Sequence, residues 1–80
     1  MILTNKELNK QYINFVDNVK YYRKLNNMTQ EELAEKADLS ASYIKQIESY
    51  AIYKNPTMNA MLNISKALNV KLSILFDDPI

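Results

Sequence analysis

The chain has 80 residues, 48% hydrophobic and 24% charged, with a formal net charge of +1; this is the composition of one small soluble domain, whose limited core makes self-association a natural supplement. It has no cysteine, glycine or histidine, which excludes a disulfide framework, a thiolate metal site, a phosphate-cradling glycine loop and the commonest general base. No apolar run approaches the roughly 18 residues of a membrane span, and Met1-Ile2-Leu3 running into Thr4-Asn5-Lys6-Glu7 does not read as a signal peptide.

These absences point to a bacterial or phage-encoded cytoplasmic protein with no membrane association, no cofactor, no metal and no catalytic residues. Carboxylate or lysine chemistry is the one enzymatic route left, and no site for it can be assembled, so the expectation is a non-enzyme. The near-neutral net charge also argues against a non-specific nucleic-acid binder; any DNA affinity has to come from a local arrangement of groups.

In chain order, Thr4-Asn5-Lys6-Glu7 fits a capping box, and Leu8, Tyr12, Phe15, Val19 and Tyr22 then recur every three or four residues as an apolar helical stripe. The core of this first helix is expected over Tyr12–Asn26, with residues 1–14 as a helical extension, or alternatively a frayed arm or separate turn before Tyr12. Asn26-Asn27 ends it. A second capping box, Thr29-Gln30-Glu31-Glu32, opens a short helix with Leu33, Ala34 and Ala37 inward; its Glu31, Glu32, Glu35 and Lys36 read as a solvated face with i,i+4 pairing. Asp38-Leu39 turns the chain, and Ser40 caps a third helix with Ile44 and Ile47 inward, ending near Ser49. Tyr50 to Pro56 is a loop, since the residue before a proline avoids helical geometry. Thr57 caps a fourth helix, Met58–Leu68, with Met61, Leu62, Ile64, Ser65 and Leu68 near its buried side, and Asn69 ends it. Lys71–Phe76 is a short fifth helix, closed by Asp77-Asp78-Pro79. The fold class is all-α: a compact five-helix arrangement in one domain, 1–80.

The second and third helices meet across a sharp turn, with small Ala34 on one and branched Ile44 and Ile47 on the other. At about 100° per residue, Ile44, Ile47, Ser40 and Glu48 share one side of the third helix. Ser42, Lys45, Gln46 and Ser49 lie opposite, with Tyr43 and Tyr50 flanking. That outer face carries donors and acceptors, one positive charge and no carboxylate to repel phosphates, which suits a helix read in the major groove.

Thr29-Gln30-Glu31-Glu32-Leu33-Ala34-Glu35-Lys36-Ala37, followed by Ser40-Ala41-Ser42-Tyr43-Ile44, Ile47-Glu48, Asn55-Pro56-Thr57 and Ala67-Leu68-Asn69-Val70, resembles the lambda-repressor-like (Cro-type, XRE) helix-turn-helix family over about residues 16–76, with the helix-turn-helix at about 29–49. The resemblance implies a transcription regulator that binds double-stranded DNA. It implies base contacts from Ala41, Ser42, Lys45 and Gln46 with Tyr43 beside them, and phosphate contacts from Gln30 and, in or near the following loop, Ser49, Tyr53, Lys54 and Asn55. It further implies a salt bridge between Arg23 and Glu48 that is structural. Three positions often glycine in the family hold Asn27, Asp38 and Asn69, and a fourth falls at Tyr50; Asn and Asp tolerate left-handed backbone.

The expected assembly is a homodimer on a palindromic operator, acting as repressor or autoregulator, in the manner of small phage repressors or restriction–modification controller proteins. Leu72, Leu75, Phe76 and Ile80 form a candidate dimer interface, and Leu3, Leu8, Tyr12 and Ile13 a second. The rival readings are an antitoxin with a toxin partner, or a protein-interaction module that keeps the fold without reading DNA. Tyr12, Tyr21 and Tyr22 are expected to pack, Tyr43, Tyr50 and Tyr53 to cluster near the DNA face, and Lys20 and Lys24 to be plain surface charges.

Overall fold

Among the described residues five helices follow in chain order: α1 (Asn5–Leu25), α2 (Gln30–Lys36), α3 (Ala41–Glu48), α4 (Met58–Leu68) and α5 (Leu72–Phe76). The computed structural model describes residues 5–50 and 56–80, with side chains of α1 from residue 9 onward; among the described residues there is no strand. The Thr4 capping box, Leu3, the Leu8 side chain, and Tyr53, Lys54 and Asn55 lie outside the described set. No helix is long and apolar enough to cross a membrane among the described residues.

The helix starts are written in hydroxyls. Thr29 Oγ1 accepts from the Glu32 N–H at 3.0 Å while Glu32 Oε1 accepts from the Thr29 N–H at 3.0 Å, so two N-terminal donors of α2 are satisfied reciprocally. The Ser40 hydroxyl accepts from the Tyr43 N–H, and the Thr57 hydroxyl from the Ala60 N–H, each at 3.0 Å. The ends follow one pattern three times. Asn27, Asp38 and Asn69 sit at φ 56°, 55° and 58°, the left-handed turn that normally takes glycine. The next residue's N–H then reaches back five residues: Met28 to the Arg23 carbonyl, Leu39 to Ala34, Val70 to Ser65, at 3.0, 2.9 and 3.1 Å. Each of those next residues is apolar and packs on the core, which is the hydrophobic contact that accompanies this helix stop.

The core is one cluster: Phe15, Val16 and Val19 of α1; Leu33 and Ala34 of α2 with Ala37; Ile44 and Ile47 of α3; Ile64 and Leu68 of α4; and Leu75 of α5. Full burial of each large aliphatic or aromatic side chain is worth about 1.5–3 kcal/mol. α1 is continuous from Asn5, so residues 5–11 belong to the same helix as Tyr12 and form neither an arm nor a separate turn. Tyr12 and Tyr22 are half-buried against the core, and Tyr21 meets Tyr22 edge-on at 5.0 Å.

Two placements correct the sequence reading. Leu62 is exposed; the buried stripe of α4 runs through Ala60, Ile64, Ser65 and Leu68, one step round the helix from it. Leu75 is fully buried within its own subunit, so its side chain closes the core and is not free for a dimer partner. Phe76 is half-buried and stacks on Phe15 with ring centroids 5.2 Å apart. Leu72 is half-buried, while Ile80 is exposed. In the second candidate interface, Ile13 is exposed and Tyr12 half-buried.

α5 has no side-chain N-cap and only five residues, too few to hold a helix unaided. It is held from outside. Asn18, buried in α1, points its Nδ2 at three carbonyls of the α5 end: Ile74 at 3.2 Å, Leu75 at 3.0 Å and Asp77 at 2.8 Å. One turn earlier, Asn14 Nδ2 donates to Asp78 Oδ1 at 3.2 Å and lies 3.5 Å from the Phe76 carbonyl. Asn18→Ala removes the Nδ2 donor from all three carbonyls, although that of Ile74 still accepts from the Asp77 N–H. It should destabilise the fold by about 1–3 kcal/mol and lower the urea midpoint; an unchanged midpoint would show that α5 does not depend on this clasp.

Candidate nucleic-acid interface

α3 divides sharply into a fixed side and an open side. Ile44 and Ile47 are sealed in the core, and between them and solvent lies Glu48, a carboxylate at 5% exposure. A buried charge is tolerated only when its partners are complete, and here they are. Arg23 of α1 grips Glu48 with two parallel bonds, Nε to Oε2 at 2.7 Å and Nη2 to Oε1 at 2.9 Å. Arg23 Nη1 donates to the Met28 carbonyl at 2.8 Å, and Gln30 Nε2 of α2 adds a third bond to Glu48 Oε1 at 3.1 Å. The planar guanidinium fork matches a carboxylate edge to edge, so this constellation fixes the rotation of α3 against α1 and α2. Arg23 and Glu48 therefore meet as the resemblance implies, and Gln30 braces the third helix.

On the open side Ser42, Lys45, Gln46 and Ser49 are exposed. The Ser49 hydroxyl donates to the Gln46 carbonyl at 2.8 Å. Ala41 and Tyr43 are half-buried and lean on the core, and the Tyr43 hydroxyl lies 3.4 Å from the Thr57 N–H, so Tyr43 is a flank of the face and a strut to the start of α4. Tyr50 stands where the family often has glycine. It adopts φ 60°, a conformation bulky residues seldom take. It also turns toward α1, where its hydroxyl donates to Asp17 and the Lys20 ammonium sits 4.4 Å from its ring centroid. The hydrogen bond to Asp17, aided by partial burial and the nearby Asp17 and Glu48 charges, pushes the Tyr50 phenol above the usual tyrosine range. Lys20 is thus a ring partner as well as a surface charge.

The acidic cluster of α2 is also divided differently from a simple solvated helix face. Glu32 is the capping-box carboxylate. Glu31 reaches across to α3 and pairs with Lys45, Oε2 to Nζ at 3.1 Å. Its backbone hydrogen bond first, and then Lys45, hold its carboxyl below the usual range. The helical wheel of α3 alone shows no carboxylate on the open face; the fold brings one there from the neighbouring helix. A pattern confined to one helix cannot reveal it. Among the described residues no group of acidic side chains is arranged to hold a metal.

A helix-turn-helix family profile matches residues 19–75, most of the described chain. The control protein C.SmaI of Serratia marcescens is 38% identical over 56 residues, which are 70% of this chain and 64% of that protein, so the match spans less than two thirds of the relative's length. An uncharacterized HTH-type transcriptional regulator of Methanocaldococcus jannaschii is 38% identical over 58 residues, covering 72% of this chain and 85% of the relative. Among solved structures, the restriction-modification controller protein C.AhdI of Aeromonas hydrophila aligns with a TM-score of 0.73 at 25% identity, over 81% of this chain and 96% of that one.

Removing one member of the buried pair tests the geometry. Arg23→Ala strands Glu48 and should cost about 3–5 kcal/mol, read as a fall in Tm of about 12 °C or more for a domain of this size. Replacing both partners with apolar residues, Arg23→Met with Glu48→Leu, should cost less than either single change; equal losses would mean the charges contribute only bulk.

Proposed function

The chain belongs to the XRE-type helix-turn-helix family of DNA-binding transcription regulators, and on that premise we propose that it acts as a homodimer on a palindromic operator, as a repressor or autoregulator of transcription. The observation that carries this reading is the split character of α3: Ser42, Lys45 and Gln46 stand exposed together while the opposite side is locked by Arg23, Glu48 and Gln30. A base-reading helix has to present its donors and acceptors from a fixed platform.

In this reading α3 enters the major groove. Gln46 offers the paired donor and acceptor that suit adenine, Lys45 the donor that suits guanine, and Ser42 a hydroxyl for either. Ala41 supplies a methyl surface for thymine. Gln30, with a second amide hydrogen beyond the one given to Glu48, meets a phosphate at the start of α2, and Ser49 serves the backbone on the other side of the groove. Tyr53, Lys54 and Asn55 extend that backbone contact. Since the whole chain carries only +1, attraction to DNA is local to this face.

Two-fold pairing of subunits would present two such helices about 34–36 Å apart, one turn of B-DNA, and this is why a palindrome is expected. Exposed Ile80 with half-buried Leu72 and Phe76 offers the apolar surface for that pairing. The likeness to a restriction-modification controller protein supports a regulatory role; in this reading control lies in concentration and dimerisation.

Selection from a random duplex pool, with affinity for the winner titrated against salt, tests the proposal. A palindromic winner with a linear log–log salt dependence is expected. The double variant Lys45→Ala, Gln46→Ala should lose preference for that winner, by about 10-fold or more from the loss of two base contacts, with helical content unchanged. No enrichment by folded protein would overturn the reading in favour of a protein-interaction role.

A further inference from the structure

We infer that Glu31 is a specificity-determining residue of the DNA face: by holding the Lys45 ammonium, it suppresses binding to phosphate in the wrong sequence and yields the lysine only where a base-edge acceptor is in register. The inference rests on the DNA-binding reading above. Its basis is the 3.1 Å pair between Glu31 Oε2 and Lys45 Nζ, with both side chains more than half exposed. The pair is on the outer surface, and its lysine is one of the side chains that make up the open face of α3.

Lys45 is the one cation that α3 itself contributes, so its state decides how the helix meets a phosphate backbone. Non-specific affinity comes almost wholly from cations that replace the counterions of phosphates. With Glu31 beside it, Lys45 presents a charge pair in place of a bare cation. Moving the ammonium to a phosphate would leave a carboxylate unpaired against a polyanion. In a cognate groove a guanine O6 or N7 takes the ammonium in a fixed direction, without requiring it to leave the groove for the backbone. The carboxylate therefore penalises the two complexes unequally, and the difference is discrimination. Glu31 makes no contact that the fold depends on: α2 is capped by Thr29 and Glu32, and α3 is fixed by Arg23 and Gln30. Its retention in the ionised state is favoured by the hydrogen bonds that hold its carboxyl below the usual range.

The test compares Glu31→Gln with Glu35→Gln, a charge-matched change one turn along α2, on two probes: the duplex recovered by selection and a scrambled duplex of the same base composition. Glu31→Gln should tighten binding to the scrambled duplex by about three- to tenfold and steepen its salt slope by up to about 0.9, the share of one added phosphate contact. The selected duplex should change by less than about twofold, so the specificity ratio falls. Glu35→Gln should move both probes together. In a Lys45→Met background, Glu31→Gln should lose its selective effect. Equal tightening on both duplexes by Glu31→Gln, or persistence of the selective effect without Lys45, would overturn the inference while leaving DNA binding intact. Absence of salt-dependent binding to any duplex by the unmodified protein would instead overturn the DNA reading, and this inference with it.

Discussion

The Arg23–Glu48 pair, a guanidinium and a carboxylate both largely withdrawn from water, is the contact on which the orientation of α3 depends. Ile44 and Ile47 anchor that helix by area, and apolar area does not resist a modest roll about the helix axis. The two parallel bonds from Arg23 do, because they hold only when the fork and the carboxylate edge are coplanar and in line. Gln30 and the Met28 carbonyl complete the set, so each nitrogen of the guanidinium and each oxygen of the carboxylate has a hydrogen-bond partner in a low-dielectric setting, where a missing partner is most expensive. The arrangement converts a helix that merely packs into one with a defined outward direction, and Ser42, Lys45 and Gln46 inherit that direction.

α1 emerges as the spine of the domain. From one side it supplies Arg23 to α3. From another it supplies Asn18 and Asn14 to the end of α5, and Asp17 and Lys20 to Tyr50. Those three clasps join segments far apart in sequence through polar side chains at the margins of the core, while Phe15, Val16 and Val19 fill its centre. A helix of 21 residues is long enough to touch both ends of a domain of this size, and its polar residues are used where the neighbouring helices have carbonyls or charges to satisfy.

What the sequence made legible was local. α4 could be bounded at Met58 and Leu68 because Thr57 offers a cap, Pro56 blocks an earlier start and Asn69 permits a left-handed stop. The same chemistry bounded α2 and α3, and the two-sided character of α3 followed from spacing alone. What was hidden was either distant in sequence or ambiguous round a helix. Nothing near Asn18 announces that it caps a helix more than fifty residues later. Glu31 looks like ordinary surface until α2 is laid against α3. Leu62 and Leu75 are hard to place for a simpler reason: α4 and α5 carry more apolar residues than one stripe needs, and the wheel does not choose among them before the partners are in place. In five residues, four of them large and apolar, α5 offers almost no contrast to read.

The four described left-handed residues, Asn27, Asp38, Tyr50 and Asn69, occur in a chain with no glycine at all. Each non-glycine residue held there carries a strain of about 1 kcal/mol, less for Asn and Asp than for Tyr. The other side of that balance lies in the denatured chain. Without glycine the unfolded ensemble is stiffer and samples fewer backbone states, so less disorder is surrendered when the turns close. The sequence thus accepts bent corners in the native state in exchange for a less diffuse starting point, a setting in which a small core can be sufficient.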